Sequence, residues 1–126
     1  MFERILIVDD SVTARMMIRR CLEISGCEQA NFHEASNGVE ALEMLKGNSV
    51  DLILTDLNMP EMNGKNLIRR IKSSPRLNLI PVIVVSSITN DAEEADLLSK
   101  GVAAIIRKPM SPMAVMEALE SIKQST

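Results

Sequence analysis

The chain has no tryptophan or tyrosine, two phenylalanines, one histidine and two cysteines in 126 residues. With so few rings, the core must be packed from aliphatic and thioether side chains, and nine methionines are present to help do it. Cys21 and Cys27 have neither metal-ligand nor redox-motif spacing, so the reading is two free thiols. There is no excess of positive charge: 14 Lys plus Arg face 17 Asp plus Glu, for a net charge of −3. That gives no general attraction to phosphate backbones, and nucleic acid is not expected as a direct partner. No stretch approaches the ~20 apolar residues that span a bilayer, and the first apolar run stops at Asp9 and Asp10, too early for a signal peptide. A cytoplasmic location is the default expectation. No strand is followed by a glycine-rich phosphate loop, which argues against nucleotide or flavin binding. Nor is there an internal repeat, a low-complexity tract or a linker, so a single domain over 1–126 is expected.

What is present is ordinary globular material, 46% hydrophobic and 25% charged, arranged in alternation. Arg4 to Val8 is an apolar, β-branched run ending on Asp9 and Asp10. Ser11 is placed to cap a helix whose buried face is predicted from Ala14, Met17, Ile18, Cys21 and Leu22, with Arg15, Arg19 and Arg20 on solvated faces and Gly26 as the stop. Gln29 to Ala35 reads as a strand with Ala30, Phe32 and Glu34 alternating against Asn31 and His33. Asn37 and Glu40 form a capping box for a helix carrying Ala41, Leu42 and Leu45 and closed by Gly47.

Leu52 to Thr55 is the next strand. It ends on Asp56, followed by a turn containing Pro60, Asn63 and Gly64. A third helix places Leu67, Ile68 and Ile71 inward and Arg69, Arg70 and Lys72 outward. Pro81 to Ser86 is a strand ending on the hydroxyls of Ser86 and Ser87. Asn90 with Glu93 opens a fourth helix with a weak apolar face of Ala95, Leu97 and Leu98, which predicts a loosely held helix. Ala103 to Arg107 is a short strand ending at Lys108, and Ser111 with Pro112 opens a last helix along Val115, Leu119 and Ile122. Met110, Met113 and Met116 read as packing residues. Five strands alternating with five helices predict an α/β fold with a five-stranded parallel sheet covered on both faces, compatible with the doubly wound order 2-1-3-4-5.

The strand ends concentrate chemistry. Asp9 and Asp10, Asp56, Ser86 and Lys108 all fall at carboxyl ends, the edge where open α/β sheets gather ligands. Taken singly, each acid is more readily a turn former or a helix cap. Together, three carboxylates repel one another unless a cation sits among them. Hard oxygen donors suit Mg²⁺, and a lysine and a hydroxyl complete a set able to neutralise and orient a phosphoryl group. The chemistry suggested is phosphoryl transfer to a carboxylate, with Asp56 as nucleophile.

The acidic pair in ILIVDDS, Asp56 in LILTDLNMPEMNG, Ser86 in PVIVVSS and Lys108 in RKP resemble a receiver domain of two-component response regulators, of the stand-alone CheY type. CheY is itself a standard example of the 2-1-3-4-5 order, so that order comes with the resemblance. The resemblance implies that Asp56 accepts a phosphoryl group from a histidine kinase, a phosphotransfer protein or a small phosphodonor. It implies Mg²⁺ held by Asp10, Asp56 and the Asn58 carbonyl, with Asp9 acting mainly through water. Lys108 would pair with Asp56 and then with the phosphoryl oxygens, and Ser86 would hydrogen-bond the phosphoryl group. It also implies a cis Lys108–Pro109 bond, a downstream protein target met through the Ala103 to Lys123 region, and no catalysis beyond the protein's own phosphorylation and dephosphorylation.

Two positions depart from the family pattern. Ile105 replaces the usual aromatic, so no ring can swing on activation, and the signal is expected to leave through backbone shifts after Ser86 and near the fourth helix. Ile88 is expected to limit access of water to the phosphorylated site. Asn63, where Asp is frequent, still suits a helix cap. A haloacid dehalogenase type of phosphatase is disfavoured because Asn58 stands where that chemistry needs a second Asp. A constitutive interaction module, never phosphorylated, is the remaining alternative.

Overall fold

Odd and even positions of the strands part to opposite sides of one sheet, and this is what makes the domain doubly wound. The computed structural model describes residues 2–87 and 90–124. Its order is β1 (Arg4–Val8), α1 (Val12–Leu22), β2 (Asn31–Ala35), α2 (Gly38–Gly47), β3 (Leu52–Thr55), α3 (Gly64–Lys72), β4 (Val82–Ser86), α4 (Asp91–Ser99), β5 (Ala104–Arg107) and α5 (Pro112–Gln124). The strands form one parallel sheet in the order 2-1-3-4-5, as expected. Ile5, Ile7, Leu52, Leu54, Ile83 and Val85 pack with Ile18 and Leu22 of α1 and Val115, Leu119 and Ile122 of α5. Leu6, Val8, Ile53, Val82 and Val84 face the other way, onto α2, α3 and α4. Period-two alternation inside continuous apolar runs thus serves two cores at once.

The helix starts are those the sequence marks. Ser11, Asn37, Asn63 and Asn90 each accept a backbone N–H three residues on. Glu40 completes the capping box, although its carboxylate reaches the N–H and hydroxyl of Ser36 rather than the cap residue itself. That pairing holds the Glu40 carboxyl below the usual carboxylate range. Ser111 caps α5 through Ala114. After α1 the chain continues through a wider π-type turn, Glu23–Cys27, and Gly26 leaves it at φ 105°, a value open to glycine.

Several side-chain expectations are corrected. Met17 is half exposed, and Met113 and Met116 of α5 face outward at 70% and 52% exposure, so only Met110 of that series is packing. Lys72 does not turn outward: its ammonium folds back to the carbonyls of Asn78 and Ile80, and burial lowers its pKa. Glu34 points away from the core to pair with Arg15 at 2.8 Å. β2, β4 and β5 begin later than expected, at Asn31, Val82 and Ala104. The weak face of α4 is weaker still. Ala95 and Leu98 are exposed and Leu97 alone is buried, whereas α3 buries Leu67, Ile68 and Ile71. At roughly 1.5–3 kcal/mol per buried aliphatic side chain, α4 has about a third of the apolar anchorage of α3. No described helix is long and apolar enough to cross a membrane.

Candidate functional site

Parallel register sets the centre of the site. Val8 pairs with Thr55, so the residues that follow, Asp9 and Asp56, leave the sheet side by side. Their backbones stay tied to it: the Asp9 N–H donates to the Ala35 carbonyl and the Asp56 N–H to the Val8 carbonyl, both at 3.0 Å. Asp9 is 1% and Asp56 8% exposed, while Asp10 is open to solvent. One carboxylate oxygen from each of Asp9, Asp10 and Asp56 lies within 4.8 Å of the others. Three hard oxygen donors grouped in this way suit Mg²⁺ in their chemistry.

The two buried acids are each held by hydrogen bonds through both carboxylate oxygens. Asp9 Oδ1 accepts the Ser11 N–H at 2.9 Å and Oδ2 accepts from Lys108 Nζ at 3.0 Å. Asp56 Oδ1 accepts the Leu57 N–H at 2.7 Å, and Oδ2 lies 3.4 Å from Lys108 Nζ. Asp9 is therefore a turn former through Oδ1 and a partner of Lys108 through Oδ2. Lys108 reaches the acids from the end of β5, and the Lys108–Pro109 bond is cis, as the resemblance implies. Burial is the largest influence on the Lys108 ammonium and pulls its pKa down, but hydrogen bonds and charge from Asp9 and Asp56 together outweigh it and hold the pKa above the ordinary lysine value. Ser86 is fully buried at the end of β4, and its carbonyl accepts the Lys108 N–H at 3.0 Å.

The loop after Asp56 folds back onto it. Glu61 sits at φ 66°, and the Met62 N–H donates to the Pro60 carbonyl at 2.7 Å, a γ-turn. The Gly64 N–H then donates to the Leu57 carbonyl at 2.9 Å. A Cβ on Gly64 would stand 2.1 Å from the Asp56 carbonyl oxygen, so only glycine lets α3 start this close to the acid. Asn58 is exposed on the same loop, beside a cleft of about 210 Å³ lined by Leu57, Asn63, Lys65 and Glu93. Ile105 is half-buried against the α2–α4 side of the sheet, and Ile88 lies outside the described residues.

The structure thus brings Asp9, Asp10, Asp56 and Lys108 together, with Ser86 and Asn58 at adjoining strand and loop ends. Two contributors escaped the sequence reading. Arg15 donates to the Asp9 carbonyl at 2.6 Å as well as pairing with Glu34, yet nothing in its spacing separates it from its exposed neighbours. Gly64 read as a turn residue, and its approach to Asp56 is visible only in three dimensions. Concavity would have been a poor guide: a groove of about 570 Å³ lies near Arg4, His33 and Asn48, away from these acids.

Buried acids at the ends of adjacent parallel strands of a doubly wound sheet, bridged by a lysine from an edge strand, point to a signalling receiver domain, and comparison with known proteins agrees on the family. Residues 5–120 match the family model described as response regulator receiver domain, and the chain belongs to that family. The chemotaxis protein CheY1 of Helicobacter pylori is 39% identical over 120 residues, covering 94% of this chain and 95% of that protein. The chemotaxis protein CheY of Thermotoga maritima is 37% identical over 125 residues, covering 98% of this chain and 100% of that protein. Among solved structures, the receiver domain of a signal transduction histidine kinase from Syntrophus aciditrophicus superposes with a TM-score of 0.81 at 31% identity, covering 97% and 91% of the two chains. The chain is a signalling protein of the response regulator class.

Proposed function

We propose that the domain formed by residues 1–126 is a stand-alone phosphorylation switch of the CheY kind, serving chemotaxis-type or other two-component signalling. The observation that carries this is the Lys108 ammonium set between Asp9 and Asp56, 3.0 and 3.4 Å away. A buried acid pair that shares one counter-ion suits the reception of a charged group.

In the proposed reaction an Asp56 carboxylate oxygen attacks phosphorus of a phosphohistidine. The P–N bond breaks, the imidazole leaves with its electron pair, and Asp56 becomes a mixed acyl phosphate. Leu57 N–H pins Oδ1, which leaves Oδ2, on the Lys108 side, to react. Lys108 moves from Asp9 to the phosphoryl oxygens and offsets their charge, and the Ser86 hydroxyl hydrogen-bonds them. Asp10, Asp56 and the Asn58 carbonyl would hold Mg²⁺ directly, with Asp9 joined through water. When bound, the ion supplies charge neutralisation for the transferring group. A histidine kinase or phosphotransfer protein is the proposed donor, and a protein target met near Ala103 to Lys123 the proposed receiver of the signal.

The test is incubation with Mg²⁺ and acetyl phosphate, read by intact mass. Wild type gains one phosphoryl group and Asp56→Asn gains none. No Asp56-dependent gain would favour the constitutive interaction module instead. Mg²⁺ alone at a hundredfold excess over its Kd should stabilise wild type by about 2.7 kcal/mol, and Asp10→Asn should remove most of that.

A further inference from the structure

The amino ends of β1 and β2, away from the acids, gather positive charge that the switch does not use. β2 is the outer strand of the sheet, and its first residue, Asn31, lies beside Arg4, the first residue of β1. Odd residues of β2 bond inward: the Asn31 N–H donates to the Glu3 carbonyl at 2.8 Å, and the Ala35 carbonyl accepts the Asp9 N–H. Backbone groups alternate along a strand, so the Phe32 N–H is turned out to the open edge. Around that edge lies the groove of about 570 Å³.

Donors reach this groove from three directions. Register partners share a face of the sheet, so Arg4, Asn31 and His33 stand with Leu6 on the side of α2. Phe32 stands with Ile5 on the other side, where the Arg19 guanidinium of α1 lies over its ring, 4.8 Å from the centroid. The Phe32 N–H arrives edge-on, and Ser49, after α2, adds a hydroxyl. No carboxylate lines the groove. Of the acids adjoining it, Asp51 accepts the backbone N–H groups of Glu3 and Arg4 at 3.0 and 2.9 Å, and Glu34 pairs with Arg15 at 2.8 Å. Glu23 meets Arg19 only loosely, at 3.6 Å. Among the described residues, the side chains of Arg4, His33 and Ser49 have no hydrogen-bond or ion-pair partner. A cationic cleft between α3 and α4 differs in this respect, because there Lys65 and Lys100 already pair with Glu93 and Asp96.

We propose that the groove at the amino end of β2 binds a small anion carrying two or more phosphate groups, at a site separate from Asp56. The inference goes beyond the phosphorylation switch and does not depend on it. Guanidinium forks match carboxylate and phosphate alike, and the directions of the donors decide between them. A tetrahedral phosphate points oxygens to several sides at once, as donors on both faces and at the strand edge require, whereas a carboxylate presents two oxygens in one plane. His33 donates through one ring nitrogen in either neutral tautomer. The volume is in the range of small-molecule sites, with room for more than one phosphate.

The chain has one histidine, and this makes the test local. The ring-proton NMR signals of His33 are followed as pyrophosphate is added to the full chain at constant pH and ionic strength. Mg²⁺ and phosphodonors are left out, so the outcome is independent of phosphorylation at Asp56. A saturating shift is expected. Arg4→Gln and Arg19→Gln should each weaken binding about tenfold through loss of a charge-assisted hydrogen bond. Arg19→Lys keeps the charge without the fork, and should fall between wild type and Arg19→Gln. Both arginines are exposed, so far-ultraviolet circular dichroism should match wild type in every variant. Citrate should bind about tenfold more weakly than pyrophosphate. His33 signals that stay still under pyrophosphate, or affinities unchanged in both glutamine variants, overturn the site. Citrate binding as tightly as pyrophosphate overturns its assignment to phosphates.

Discussion

Lys108 stands closer to Asp9 than to Asp56, 3.0 Å against 3.4 Å. Asp9 is almost sealed from water, at 1% exposure, and the ammonium is the counter-ion its charge requires. The lysine is therefore parked on the first strand's acid, with Asp56 as its second and looser partner.

Stability should depend on Lys108 at alkaline pH. Its folded pKa is raised, so its contribution is complete below the unfolded lysine value of about 10.4 and is lost as pH rises through the higher folded value. Urea unfolding followed from pH 8 to 12 should show a steeper loss for wild type than for Lys108→Met above about pH 10. Parallel curves for the two proteins would remove the linkage.

Gly64→Ala should damage fold and function together. The added Cβ would stand 2.1 Å from the Asp56 carbonyl oxygen, and this contact is backbone that cannot rotate away. A loss of about 2–4 kcal/mol by denaturant unfolding is expected, with slower acetyl phosphate labelling in the fraction that folds.

Glu61 occupies a left-handed conformation at φ 66°. A β-branched side chain tolerates that poorly, so Glu61→Val should cost about 1–2 kcal/mol. Glu61→Gly should stay within about 1 kcal/mol of wild type, since relief of strain offsets the added freedom of the unfolded chain. Equal losses in the two variants would show that the carboxylate, not the backbone, matters there.

Cys21 and Cys27 are buried, at 7% and 4% exposure, and desolvation raises both thiol pKa values. A thiol reagent at neutral pH should label neither residue in the native protein and both after unfolding, with labelling rates that follow the unfolding equilibrium. Rapid native labelling would contradict this packing.

The sequence made the sheet legible because its strands are uninterrupted apolar runs that stop on charged or hydroxyl residues. Asn37, Asn63 and Asn90 announced their helices because capping is a local, four-residue interaction. The site residues were legible for the same reason as the strands, since Asp9, Asp56, Ser86 and Lys108 are the residues on which those runs end. What escaped depends on contacts distant along the chain. Met17 and Met113 keep helical spacing with buried residues but face solvent, and spacing alone does not separate a filled position from an open one. That Lys108 favours Asp9, 99 residues away, or that Arg15 rather than Arg20 supports the Asp9 backbone, follows from how β1, β5 and α1 meet.

Ile105 has a consequence for observing the protein at work. Without an indole or a phenol anywhere in the chain, the molecule is nearly dark in the near ultraviolet, and its natural fluorescence carries no report of its state. The half-buried position on β5, just before the lysine of the site, is where one introduced tryptophan would emit against no background, so that a single spectral signal could follow the switch in real time.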